Sequence, residues 1–310
     1  MRYREDANLD TSGVEDRRGG GGGRAIALGG GGLGVVGVVV VLLIQLLGGE
    51  GGSTGTGAGA GADPFGPVLD GLGSGDSATS RQLADDCRTG EDANTRTECA
   101  VVADVESIQD YWSGELGKRW TPSDTVFFSG STDTGCGSAT SGVGPFYCPA
   151  DELVYIDLSF YDELRTRFGA EGGLFVDAYV LAHEYAHHVQ DLLGTDERVR
   201  QGETGPTSGS VRLELQADCY AGTWANHATT VPDDSGAPLI EEITSDDIDR
   251  ALDTAGRIGD DYIQRELGGG SVDEQSFTHG TSAQRRQWFT TGYRTGDPAR
   301  CDTFSTSDLG

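Results

Sequence analysis

The chain has 310 residues, of which 50 are acidic and 22 basic, for a formal net charge of −28. An excess of carboxylates on that scale excludes a nucleic-acid binder, which needs a basic surface to displace counterions from phosphates. Hydrophobic residues at 36% and aromatic residues at 8% suffice for a core once the glycines crowded near the N-terminus are set aside, which excludes a wholly disordered chain.

Residues 1–24 are polar and glycine-rich and carry Arg2, Arg4, Arg17, Arg18 and Arg24. Residues 25–47 carry no charge and include the run Val38-Val39-Val40-Val41-Leu42-Leu43-Ile44. At about 1.5 Å per residue, a helix of that length crosses a hydrocarbon core of about 30 Å. No basic residue follows until Arg81. The positive-inside rule therefore predicts residues 1–24 in the cytoplasm, a single-pass transmembrane helix over 25–47 anchoring the chain to the cell membrane, and an extracytoplasmic remainder. A cleaved signal peptide is the rival reading, and the length of the apolar run favours the uncleaved anchor. Residues 48–80 are rich in Gly, Ser, Thr and Ala and predict a flexible linker. A single folded domain is predicted over 81–305.

All six cysteines fall in that domain and none forms a C-x-x-C pair, which argues against a zinc ribbon or a thioredoxin-like site. An even number downstream of an export signal predicts three disulfides in an oxidising compartment. Proximity in the chain pairs Cys87 with Cys99 and Cys136 with Cys148, leaving Cys219 and Cys301 as the long-range tie.

Val101, Val105, Ile108 and Trp112 recur at helical spacing and predict a helix over 95–116. The runs 125–128 and 153–158 are β-branched and aromatic and read as strands, with a glycine-rich loop over 130–144 between them. Leu174, Ala178, Leu181, Tyr185, Val189 and Leu192 mark one face of a helix that stops at Gly194. A loop over 202–209 leads to a second helix over 210–227. Thr244-x-x-Asp247 and Thr281-x-x-Gln284 are capping-box patterns, each opening a further helix. Helices outnumber strands, so the fold class is α+β, mainly helical with a small sheet.

The helix over 174–193 carries His183-Glu184-Tyr185-Ala186-His187, an H-E-x-x-H motif. Positions i and i+4 share a helix face, so both imidazoles reach one ion, while Glu184, about 100° round the helix, can act on a water held there. His188 points elsewhere and reads as structural or solvent-facing. Catalytic zinc needs a third protein ligand and an open position. The next helix offers Glu214 and Asp218, again i and i+4: one can bind the metal while the other hydrogen-bonds and orients a ligating histidine. The plainer reading is a solvated acidic face, but Leu213, Leu215, Ala217 and Tyr220 point to a buried setting.

H-E-x-x-H followed by E-x-x-A-D resembles the gluzincin pattern. The segments 183–190, 214–222 and 276–285 more closely resemble the bacterial family described as putative neutral zinc metallopeptidases, and the likeness extends over most of 81–305. It implies a zincin-like peptidase domain with one Zn²⁺ on His183, His187 and Glu214, Asp218 bonded behind a ligating histidine, Glu184 as catalytic base, and a peptide or protein as substrate. It also directs attention to His279, in the Ser/Thr/Gly-rich turn before the last helix, as the group that stabilises the oxyanion. Tyr220 and Tyr262 compete for that role, and a histidine bonded to backbone is the plain alternative. Arg285 and Arg286 read as salt-bridge partners or as holders of a substrate carboxylate, and His227 as structural. The strand over 153–158 is expected to lie at a sheet edge and align the peptide. Two other functions stay open on sequence alone: a zinc-containing but catalytically idle envelope-binding module, and a metal-free envelope scaffold.

Overall fold

The computed structural model describes residues 1–18, 78–233 and 235–310. The segment expected to cross the membrane, 25–47, and most of the expected linker lie outside the described residues. Among the described residues no helix is long and apolar enough to cross a membrane.

The fold is α+β, about half helical with small sheets. In chain order it comprises β1 (Arg2–Tyr3), β2 (Val14–Asp16), α1 (Ala78–Asp86), α2 (Gly90–Thr95), α3 (Thr97–Leu116), β3 (Thr125–Phe127), β4 (Ser131–Thr134) and β5 (Gly137–Thr140). Then follow β6 (Phe146–Cys148), β7 (Leu153–Ile156), α4 (Phe160–Thr166), α5 (Leu174–Leu192), α6 (Gly209–His227), β8 (Ile240–Glu242), α7 (Ser245–Arg257), the short α8 (Asp260–Tyr262) and α9 (Ser282–Thr295). Both capping boxes read from the sequence form: Thr244 Oγ1 accepts from the Asp247 amide at 3.2 Å, and Thr281 Oγ1 from the Gln284 amide at 3.1 Å.

The main sheet has the order β2-β3-β7-β6, with β2, β3 and β7 parallel and β6 antiparallel to β7. The strand expected at an edge, β7, is therefore internal; β6 is the edge strand instead. The stretch 130–144, expected to be a loop, holds the β4–β5 hairpin, and Cys136 in its turn is bonded to Cys148 at the end of β6. The other disulfides are Cys87–Cys99 and Cys219–Cys301, so the pairing is the one that proximity suggests.

α5 runs through the centre of the molecule, packed by α3, α6, α7 and β6, and nearly every side chain from Phe175 to Gln190 is buried. That is why its sequence is apolar beyond a single stripe. α6 and α9 cross with their backbones touching: a Cβ at Gly222 would meet the Phe289 carbonyl oxygen at 2.2 Å, and one at Gly292 the Cys219 carbonyl oxygen at 1.9 Å. Only glycine permits that approach, and it brings Arg285 on α9 over Asp218 on α6.

Residues 1–18 are built into the same body as the rest, which corrects their expected separation from 81–305. β1 pairs with β8, and β2 forms the far edge of the main sheet. Tyr3 is fully buried, its hydroxyl donating to Asp104 Oδ1 at 2.7 Å. Where the described chain resumes, the Thr79 hydroxyl donates to the Asp16 carbonyl at 2.5 Å and the Asp16 amide to Ser80 Oγ at 3.0 Å. Three-residue strands show no period that a sequence can betray, and a polar, glycine-rich segment reads as a tail unless its long-range partner is known.

The core includes acids as well as apolar groups. Asp177, on the first turn of α5, is 7% exposed, and its Oδ1 has no hydrogen-bond partner among the described residues. Burial raises its carboxyl to about 7. The unfolded chain has an ordinary Asp value, so the folded state carries the extra proton between about pH 4 and pH 7 and loses stability as pH rises through that window. Asp177→Asn is expected to raise unfolding stability near pH 8 by about 3 kcal/mol and to change little near pH 4, as urea titrations at the two pH values would measure.

Candidate metal centre and catalytic cavity

α5 and α6 lie side by side, so His183 and His187 on one face Glu214 on the other. His183 Nε2 is 3.1 Å from Glu214 Oε2, and His187 Nε2 is 3.5 Å from Glu214 Oε1. All three residues are buried, and their donor atoms lie within 4.8 Å of one another. Donors about 2.1 Å from a tetrahedral ion sit about 3.4 Å apart, so the spacing and the N, N, O donor set suit zinc. Glu214 is held in its charged form: burial opposes the charge, but the facing imidazoles of His187 and His183 outweigh it and keep the carboxyl well below its ordinary range.

Each imidazole has its other nitrogen tied down. His183 Nδ1 is 3.0 Å from Asp218 Oδ1. That oxygen also accepts from the Tyr179 hydroxyl at 2.6 Å and from Arg285 Nη2 at 3.0 Å, while Asp218 Oδ2 accepts from Arg285 Nε at 2.8 Å. Against the penalty of burial, Arg285 and His183 hold the Asp218 carboxyl at about 2. His187 Nδ1 meets the neutral Gln190 Oε1 at 2.8 Å, and Gln190 in turn donates to the Leu213 carbonyl at 2.8 Å. Burial lowers His187, whereas His183, bonded to two carboxylates, is raised despite its burial. Asp218 and Arg285 pair with each other, so the Glu214 charge is left for a cation. The chemistry of the donors and the sign of the charge both fit a divalent ion with Nε2 as the ligating atom of each histidine.

A cavity of about 120 Å³ opens on this group, lined by His183, Glu184, His187, Glu214, His279 and Arg285 on its polar side. Phe146, Phe160, Phe168, Val180, Ile258 and Ile263 form its apolar walls. Glu184 Oε2 accepts from the Tyr147 backbone amide on β6 at 3.1 Å, and burial raises this carboxyl to about 7. His279 enters from the turn before α9. Its Nδ1 lies 3.2 Å from Asp260 Oδ1 and 3.0 Å from Thr278 Oγ1, which leaves Nε2 for the cavity. Asp260 Oδ2 accepts the backbone amides of Thr278, His279 and Gly280 at 2.8, 2.7 and 2.9 Å, so one carboxylate shapes the whole turn.

The remaining sequence candidates lie elsewhere. The Tyr220 ring packs on Trp112 with centroids 5.2 Å apart, the Tyr262 hydroxyl accepts from Arg257 at 3.1 Å, and neither lines the cavity. Arg286 bonds the Leu252 carbonyl at 3.0 Å, and His227 the Gly296 carbonyl oxygen at 2.9 Å. His188 is fully buried, which removes the solvent-facing alternative. Sequence reasoning missed Tyr179, Gln190, Asp260 and Tyr147. Tyr179 and Gln190 were within reach, at i−4 from His183 and i+3 from His187 on the same helix; Asp260 and Tyr147 carry no local signal.

Comparison with known proteins bears on the same segments. The family profile described as "Putative neutral zinc metallopeptidase" matches residues 1–304, and so takes in residues 1–18 as well as the peptidase-like part. An uncharacterized protein of Mycobacterium tuberculosis (strain ATCC 25618 / H37Rv) is 50% identical over 225 residues, 72% of this chain and 76% of its own length. The uncharacterized protein YpfJ of Escherichia coli (strain K12) is 40% identical over 250 residues, 78% of this chain and 83% of its own length. No solved structure matches. With a profile match that runs almost from end to end, the chain belongs to the putative neutral zinc metallopeptidase family.

Proposed function

We propose that the protein is a zinc-dependent endopeptidase whose ion is held by His183, His187 and Glu214. The observation that carries this reading is the meeting of three ligand side chains, at 3.1 and 3.5 Å, with a half-buried carboxyl group that no ligand role requires, Glu184, in the same cavity. When bound, zinc supplies Lewis acidity: it polarises a carbonyl and makes water a nucleophile near neutral pH. Glu184 takes one proton from the attacking water as its oxygen bonds to the scissile carbonyl carbon. The same carboxyl returns the proton to the amide nitrogen as the C–N bond breaks. His279, fixed by Asp260, donates to the oxygen that gains negative charge. Asp218 and Gln190 hold the two imidazoles in the tautomer that leaves Nε2 free. β6 replaces β7 as the edge on which an extended peptide is aligned, and the phenylalanine-rich wall takes an apolar side chain. An idle zinc module has no use for Glu184.

The test is purified full-length chain assayed for metal and for hydrolysis of an unfolded protein. One zinc per chain and proteolysis abolished by chelator are expected; zinc without proteolysis supports the idle module, and neither supports the scaffold.

The three disulfides, with no free cysteine, support an extracytoplasmic location. The apolar run 25–47 has the composition to enter a bilayer. Because Asp16 is bonded to Thr79 and Ser80, residues 1–18 belong on the side that holds the catalytic body. In cells expressing the full chain, Ser12→Cys and Ser307→Cys, both at exposed positions, are expected to react equally with an impermeant maleimide. Labelling at 307 alone would restore the single crossing with a cytoplasmic N-terminus; protection of both would place the whole body inside the cell.

A further inference from the structure

The metal ligands use one face of α5, and an adjacent stripe of the same helix grips β6. Glu184, His188 and Asp191 stand at i, i+4 and i+7, a spacing that lines them up along the helix. All three meet one residue, Tyr147. Glu184 accepts its backbone amide at 3.1 Å, Asp191 Oδ2 accepts its hydroxyl at 2.6 Å, and His188 Nδ1 lies 3.0 Å from that hydroxyl oxygen. His188 is itself fixed, Nε2 donating to the Thr121 carbonyl at 2.7 Å and the ring set edge-on to Trp120 with centroids 5.2 Å apart.

We propose that Tyr147 and Asp191, with the His188 ring packed beside them, form a clamp that positions the general base. This rests on the peptidase reading of Glu184. The hydroxyl end of Tyr147 is bolted to the C-terminal turns of α5, and its amide end then presents an N–H to one carboxylate oxygen of Glu184. The other oxygen is left to face the cavity. β6 has only three residues, paired through Phe146–Tyr155, Tyr147–Val154 and Cys148–Leu153, and a short edge strand alone is a soft support. The clamp and the Cys136–Cys148 bond stiffen it at successive residues. Their side chains act through Glu184 and touch no substrate, so they are positioning residues. A base displaced by a fraction of an ångström loses rate while the cavity and the metal ligands stay as they were.

The test uses the full chain. Tyr147→Phe keeps the ring and removes both hydroxyl contacts; it is expected to lower kcat roughly tenfold, with KM within about twofold and one zinc per chain. Asp191→Ala should behave likewise, whereas Asp191→Asn, which keeps an acceptor for the hydroxyl, should stay within about threefold of wild type. Hydrogen exchange supplies a readout independent of activity: the Tyr147 amide should exchange about tenfold faster in Tyr147→Phe and Asp191→Ala, but not in Asp191→Asn, with α5 amides unchanged. Unchanged kcat and unchanged exchange would overturn the clamp. So would a loss that falls on KM or on zinc content, or a failure of Asp191→Asn to recover. Faster exchange in a protein whose wild type shows no chelator-sensitive hydrolysis would keep the clamp as a strand anchor and remove the peptidase reading instead.

Discussion

Glu184→Gln is expected to keep one zinc per chain and to lower kcat about a thousandfold, the range a general base contributes. Glutamine matches glutamate in shape and still accepts the Tyr147 amide, so β6 stays seated. It has no basic oxygen for a proton, and both proton transfers, from water and to the leaving nitrogen, fail together. The carboxylate makes no contact with Glu214, His183 or His187 that would hold an ion, so metal content separates this variant from a ligand variant. Zinc analysis beside single-substrate kinetics checks it. A Glu184→Gln protein that kept more than about a tenth of wild-type kcat would refute the base role.

Glu214→Ala is expected to weaken zinc binding by at least about a hundredfold and to abolish hydrolysis at ordinary zinc concentrations. Of the three ligands, two imidazoles from adjacent turns are then left, and the buried negative charge that favours a cation is gone. Asp218 is engaged by Arg285, Tyr179 and His183 and is not free to take its place. The same variant tests whether metal contributes to folding. A chelator should lower the unfolding temperature of the wild type and leave that of Glu214→Ala unmoved, because a ligand stabilises only the form that binds it. A wild type indifferent to chelator, with equal zinc content in both proteins, would exclude Glu214 as a ligand. Isothermal titration with zinc and thermal scans with and without chelator give the two readouts.

The sequence discloses the longer helices and hides the N-terminal strands and the short helices, for one physical reason. The capping boxes at Thr244 and Thr281, the H-E-x-x-H spacing and the apolar face of α5 depend on residues within one or two turns of one another, and helical geometry translates such spacing directly into position. β1 and β2 depend on partners far along the chain, and residues 1–18 read as a polar head because nothing local distinguishes a strand of two or three residues from a loop. The edge strand escapes the sequence for a related reason: β6 and β7 are both apolar, and only their order in the sheet tells which one is covered.

The chemistry on each helix is therefore legible in the sequence: two imidazoles one turn apart with a carboxylate next to the first on α5, two carboxylates one turn apart on α6, and three disulfides closed between near or remaining cysteines. Tertiary structure alone decided which groups meet. Glu214 reaches His183 across 31 positions, Tyr147 reaches Glu184 across 37, and Arg285 reaches Asp218 across 67. Those meetings rest on the glycine-to-backbone crossing of α6 with α9, on the seat of β6 against α5 and on the turn that Asp260 gathers around His279. Each is a long-range packing choice, and no spacing within a single helix or strand encodes it.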